Sequence, residues 1–281
     1  MSAVFANSAG SVVLEEAEAD GYPRFKEFLP PKGIDGSHYR VCFAANARDL
    51  EAVQRLRYRV FNVELGEGLD GAHAIGRDED PFDPACHHLM VVSHADQRVV
   101  GTYRMQTSAM ARAGQGFYAD QLFDLGALPA ALREQAMETG RACIAAGHRN
   151  GRVLFLLWHG LALYLKHNRL RYLFGCSSLN SQDPAEGLAL HAWLARSGHL
   201  HEQIRLRPRP GHACAGSPPI GRGGGSADPP AALPQLMRLY LEYGAKVCGG
   251  PAIDRDFKTI DFFTLLDVER FDARTRKKFF S

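Results

Sequence analysis

Three short runs gather the side chains that could do chemistry. Asp78, Asp80 and Asp83 fall in one run, around Glu79. Glu138 and Arg141 share a second, Glu138-Thr139-Gly140-Arg141. In the third, His148, Arg149 and Arg152 stand just ahead of a long apolar segment. A glutamate drawn out of water becomes a proton acceptor suited to neutral pH, because burial raises its pKa. Glu138 could equally be an ion-pair partner of Arg104 or Arg141. The aspartates offer a counter-charge to a cationic ligand. Alternatively they form a salt-bridge scaffold for Arg57, Arg104 and Arg141, since a buried guanidinium needs a partner. Arg104 and Arg141 could also clamp a carboxylate by bidentate hydrogen bonds. At a helix start, the backbone N–H groups and dipole near His148, Arg149 and Arg152 favour phosphate.

Other chemistries find less support. Cys86-His87-His88 lacks the second spaced pair of a zinc site, and the aspartate run lacks the glycine and closing glutamate of a calcium loop. No metal site is expected. The glycine run at 221–226 lacks the Lys-Ser/Thr of a phosphate-binding loop. No local signature marks a nucleophilic serine or cysteine.

The elements that must hold these residues follow from periodicity. Alternation and β-formers predict strands at 39–44, 88–93 and 99–106, the last two joined as a hairpin. Asn46 caps a helix carrying Leu50, Val53, Leu56, Val60 and Phe61 at helical spacing. Residues 66–86 read as a loop and 118–124 and 129–135 as helical. Residues 136–144 read as a strand, 152–167 as an apolar helix and 171–176 as a strand. Asp183 caps a helix to Arg196 with Pro184 at its first position. A helix at 234–245 precedes closing strands at 246–249 and 259–268. This order predicts an α/β fold, a mixed sheet with helices on both faces. Residues 1–38 read as a partly ordered extension, 39–270 as the domain, 205–230 as an exposed Pro/Gly-rich loop within it, and 271–281 as a basic C-terminal tail.

A formal charge of +2 over 281 residues argues against a general nucleic-acid binder. No basic-then-apolar leader opens the chain, and the six cysteines form no CxxC pair, which reads as reduced thiols in the cytoplasm. The apolar stretch at 153–165 is too short to span a bilayer.

Four motifs stand in order: Leu56-Arg57-Tyr58-Arg59-Val60-Phe61, then Asp78 to Asp83, then Gly101-Thr102-Tyr103-Arg104, then Glu138 to Arg141. Their succession resembles the acyl-homoserine-lactone synthases of the GNAT acyltransferase superfamily. With the tail at 234–247 and Asp254-Arg255-Asp256-Phe257, the chain more closely resembles the L-ornithine N-alpha-acyltransferases, called hemolysin-like, over residues 39–270. Asp78 stands where the lactone synthases carry Glu, and their Trp after Phe61 is missing. The loop at 147–152 departs from the usual coenzyme A signature.

The resemblance implies a GNAT-like fold and transfer of a (3-hydroxy)fatty acyl group from acyl carrier protein to the α-amine of L-ornithine, giving lyso-ornithine lipid. No bound cofactor is implied; the acyl-phosphopantetheine thioester is a co-substrate. A free amine attacks a thioester directly, so no covalent enzyme intermediate is required. Glu138, Arg104 and Arg141 become catalytic candidates. Asp78, Asp80, Asp83, Arg57 and Phe61 become substrate-binding candidates, with Phe82 and Phe117 beside an acyl channel. His148, Arg149 and Arg152 would meet the phosphopantetheine and its carrier. Glu138 is expected to face a V-shaped cleft between two parallel strands, with Arg149 and Arg152 at its mouth. The product's lipid character allows peripheral contact with the inner membrane. Glycine, lysine or glutamine acceptors, a coenzyme A donor, lactone synthesis and a non-catalytic lipid or carrier-protein binder are the competing readings.

Overall fold

The computed structural model describes residues 21–216 and 233–280. Strands β1 (Ile34–Asp35) and β2 (Tyr39–Phe43) lead into helix α1 (Ala47–Tyr58). Asn46 supplies the predicted cap, its Oδ1 accepting the Asp49 N–H at 3.0 Å. The chain then continues as a π-helical turn, Arg59–Glu64, which carries Phe61. Helix α2 (Ala72–Ile75) lies inside the stretch predicted as loop. The hairpin β3 (His87–Ser93) and β4 (Val99–Thr107) follows, with α3 (Ser108–Ala113) and α4 (Ala130–Glu134) before β5 (Ala136–Ile144). Helix α5 (Arg152–Asn168), strand β6 (Tyr172–Leu179) and helix α6 (Pro184–Arg196) come next. The described chain closes with α7 (Gln235–Glu242), β7 (Lys246–Val247), β8 (Ala252–Asp254), β9 (Thr259–Asp267) and α8 (Ala273–Phe280).

The strands form one sheet in the order β1-β2-β3-β4-β5-β6-β9-β7, with β8 also on β9. β5 and β6 pair in parallel, and the other named pairs are antiparallel. Strand alternation sorts the side chains between two layers. Val41, Phe43, Leu89 and Val91 pack against Leu157, Trp158 and Leu161 of α5. Met90 and Val92 turn the other way, onto Val53 of α1. Gly160 lets α5 sit close on the sheet, since a Cβ there would lie 2.5 Å from Leu89 Cδ1.

Three boundaries differ from the sequence reading. Part of the predicted extension belongs to the sheet: β1 pairs with β2, and Phe28, Leu29 and Ile34 pack on the α5 core. Residues 205–216, read as an exposed loop, are also tethered to the domain, for Leu206 donates to Cys248 O at 3.0 Å and Pro208 and Ala213 bridge to Phe123 and Ala252. The basic tail folds as α8, because Phe279 buries itself against Trp158. The expectations for residues 1–20 and 217–230, and for Ser281, lie outside the described residues.

Candidate active site

Strands β5 and β6 stay paired only from Ala136↔Tyr172 to Glu138↔Phe174. At that root Gly175 meets Thr139 backbone so closely that an added Cβ would lie 2.1 Å from Thr139 O. Beyond it β5 carries one extra residue. Arg104 faces Gly140 and Thr102 faces Cys143, so Arg141 and Ala142 together oppose Tyr103. Such a bulge bends its strand and ends regular pairing. Arg141 takes φ 50°, which costs an L-residue roughly 1–2 kcal/mol. An ion pair to Asp78 and the flanking rings of Phe61 and Phe257, 4.8 and 4.0 Å from its guanidinium carbon, hold it there. The separated strands leave a cleft of about 890 Å³, lined by both strands, by Phe61 and by α7. That volume is ample for a small-molecule site.

Glu138 lines this cleft with Arg104, Arg141 and Phe61. Its Oε2 accepts the Tyr118 N–H at 2.8 Å and its Oε1 the Ala119 N–H at 2.7 Å, which anchors the 3-10 turn Tyr118–Gln121. Burial pushes its carboxyl up to about 7, against the lowering by those two N–H groups and by Arg104. Among the described residues no arginine forms an ion pair with Glu138; Arg104 and Arg141 pair with aspartates instead. Glu138 is thus a carboxylate that can take up a proton near neutral pH, with lone pairs still available to a ligand.

The other acids are spent on the scaffold. Arg57 donates to Asp78 and, through Nη1 at 2.8 Å, to Asp83; all three are fully buried. Arg104 Nη1 meets both Asp80 oxygens and lies 3.0 Å from Asp83 Oδ1. Asp83 also accepts from Gln54 Nε2 at 3.0 Å, and Arg141 closes the network on Asp78. Burial opposes ionisation of Asp78, but Arg141 and Arg57 outweigh it and hold the carboxyl below its usual range. For Asp83, burial is likewise outweighed, by Arg57, His88 and Arg104. The aspartates therefore stand behind the cleft as arginine partners, and the geometry supports their scaffold role over a counter-charge for substrate. Phe82 packs on Tyr118, and Phe117 on Phe174; neither is on the lining.

Among the three basic candidates, Arg149 lines the cleft, pairing with Glu64 and donating from Nε to Ile144 O at 3.0 Å. His148 leans on Tyr39, with Nδ1 3.0 Å from its hydroxyl, and Arg152 is exposed; both stand off the lining.

Several lining residues escaped the sequence reading. Tyr118 donates its hydroxyl to Asp254 Oδ2, and Asp261 accepts from Thr259 Oγ1 at 3.0 Å. Burial, then the nearby Asp254, pushes Asp261 up to about 7. Gln106, paired in register with Glu138, is buried, and among the described residues neither amide atom has a hydrogen-bond partner. A charge within the apolar strand 259–267 was the signal for Asp261; Gln106 gave none beyond a polar side chain late in its strand. Three cysteines, Cys86, Cys143 and Cys176, also reach the cleft, and burial raises each thiol. They are held as thiols, whereas nucleophilic attack requires the thiolate.

Residues 56–159 match the acetyltransferase (GNAT) domain family. The chain is 32% identical to the L-ornithine N(alpha)-acyltransferase of Brucella abortus, covering 82% of this chain and 85% of that protein. It is 32% identical to the protein of the same name from Rhodobacter capsulatus, covering 85% and 93%. Among solved structures, the acyl-homoserine-lactone synthase LasI aligns with a TM-score of 0.45 at 14% identity, covering 87% of this chain and 96% of that one. With its GNAT domain and relatives of one name matched along most of their length, the chain is an amino-acid N-acyltransferase belonging to the family of the L-ornithine N(alpha)-acyltransferases.

Proposed function

We propose that this protein transfers a (3-hydroxy)fatty acyl group from the phosphopantetheine thioester of acyl carrier protein to the α-amine of L-ornithine, forming lyso-ornithine lipid. The observation that carries this reading is Glu138, buried at the root of an open cleft with its carboxyl near neutrality. The relatives' names supply the acceptor. A pantetheine arm would enter past Arg149 and lie along the edge of β5 that β6 has left, where strand-like hydrogen bonds are available to its amides. The acyl chain would follow the apolar wall of Leu154, Leu157, Leu173, Leu236 and Leu239.

Glu138 would accept a proton from the ornithine amine as its nitrogen attacks the thioester carbonyl. The C–N bond forms, the C–S bond breaks, and the carrier thiol departs with a proton. The raised thiols lining the cleft favour this direct attack over an acyl-cysteine intermediate. No helix among the described residues is long and apolar enough to cross a membrane. The lipid product would leave by partitioning, which suits an enzyme in peripheral contact with the inner face of the cytoplasmic membrane.

The test is an acylation assay with purified protein, 3-hydroxyacyl carrier protein, the matching acyl-coenzyme A and a panel of amino acids. Acyl-ornithine from the carrier-protein donor is the expected product. Acyl-glycine without acyl-ornithine would remove the acceptor assignment, and turnover with acyl-coenzyme A alone would remove the carrier.

A further inference from the structure

The face of the sheet that holds Glu138 continues past it. Glu138 on β5 is in register with Phe174 on β6, and Ser178, four residues further along β6, is in register with Asp261 on β9. Strand alternation puts Glu138, Phe174, Cys176, Ser178 and Asp261 on that one face. Asp254 on β8 joins them, being in register with Thr259, two residues from Asp261. Both aspartates are buried and line the cleft. The cleft's ion-paired arginines are already committed: Arg104 to Asp80 and Asp83, Arg141 to Asp78, and Arg149 to Glu64. Asp254 and Asp261 have neutral donors: the Tyr118 hydroxyl and the Phe257 N–H on Asp254, and Thr259, Ser178 and Cys176 on Asp261.

Tyr118 measures the distance between the two ends of this arrangement. Its backbone N–H is on Glu138 and its hydroxyl is on Asp254. Tyr118 thus bridges the two carboxylates, and a short linear diamino acid lying beside it would present one amine to each. Gln106 is an independent sign that the cleft takes a polar ligand. It is 2% exposed, lies on the lining beside Glu138, and among the described residues neither its amide oxygen nor its nitrogen has a partner. A buried amide left so costs stability unless something fills the place.

We infer that Asp254 and Asp261 form the subsite for the ammonium end of the acceptor's side chain, so that acceptor choice is made there while the α-amine sits at Glu138. This rests on the acyltransferase reading above and deepens it. Burial and the neighbouring Asp254 oppose ionisation of Asp261, whose carboxyl is raised. A cation placed between them removes that opposition. A neutral side chain of the same length leaves it in place, so the pair selects for charge and not merely for size.

The experiment compares kcat/KM for L-ornithine and for L-norvaline, which has the same carbon chain without the terminal amine. It uses the wild-type chain, Asp261→Asn and Asp254→Asn. The ornithine-to-norvaline ratio is independent of the folded fraction of each preparation. We expect it to fall about 100-fold in the variants, the scale of removing one partner of a buried charge contact. A fall under about tenfold in both variants overturns the proposal, as does a wild type that acylates norvaline as well as ornithine. A wild type that acylates no amino acid at all fails the acyltransferase reading itself. Should a variant lose all turnover, the rise in Tm caused by ornithine is read instead. It is expected in Glu138→Gln and lost in Asp261→Asn; a full rise kept in Asp261→Asn overturns the proposal.

Discussion

Arg57 donates to Asp78 from Nε at 3.0 Å and from Nη2 at 2.5 Å, with both side chains wholly out of solvent. The pair stands behind the bulge that opens the cleft, because Asp78 also holds Arg141. Replacing Arg57 with Met would leave Asp78 and Asp83 buried without their shared cation. We expect Arg57→Met to cost about 3–5 kcal/mol of stability, measured by urea unfolding. A loss below about 1 kcal/mol would show that the network is not a structural keystone.

As the base of the proposed reaction, Glu138 would set the pH dependence. Its carboxyl is raised to about 7 by burial, so the proton-accepting form predominates only above that pH. With the carboxylate as the active form, kcat/KM should rise with pH through an inflection at about 7. Glu138→Gln should lower turnover by at least roughly tenfold and abolish that inflection. Unchanged turnover, or an inflection that survives the substitution, would exclude Glu138 as the base.

Gly175 marks the point where β5 and β6 part. A methyl group there meets the Thr139 carbonyl oxygen, which belongs to the backbone and cannot swing away. Gly175→Ala should cost about 1–3 kcal/mol and lower activity as the cleft root shifts. A Tm and a turnover both equal to wild type would contradict the close approach.

Sequence patterning was enough for the elements that local chemistry decides. The strand at 136–144 is observed with those bounds, Asn46 and Asp183 cap their helices, and the hairpin β3–β4 and helix α5 lie where periodicity puts them. These features depend on alternation, capping and apolar length, which act over a few residues. The strands β1 and β8 were hidden because two or three residues are too few to show alternation, and α8 because its stability comes from the α5 core, about a hundred residues away in sequence.

The site divides along the same line. Residue types and spacing were sufficient to single out Glu138, Arg104, Arg141 and Phe61, all of which reach the cleft. Which carboxylates remain for a ligand was decided only by the tertiary structure. Asp78, Asp80 and Asp83 look available in sequence, but folding brings Arg57, Arg104 and Arg141 within reach, and their buried charges consume one another. Asp254 and Asp261 reach the cleft because β9 returns beside β6 and β8 pairs with β9, more than a hundred residues after the aspartate run. Charge pairing is a matter of distance in space and of exclusion from water, and neither is encoded in spacing along the chain.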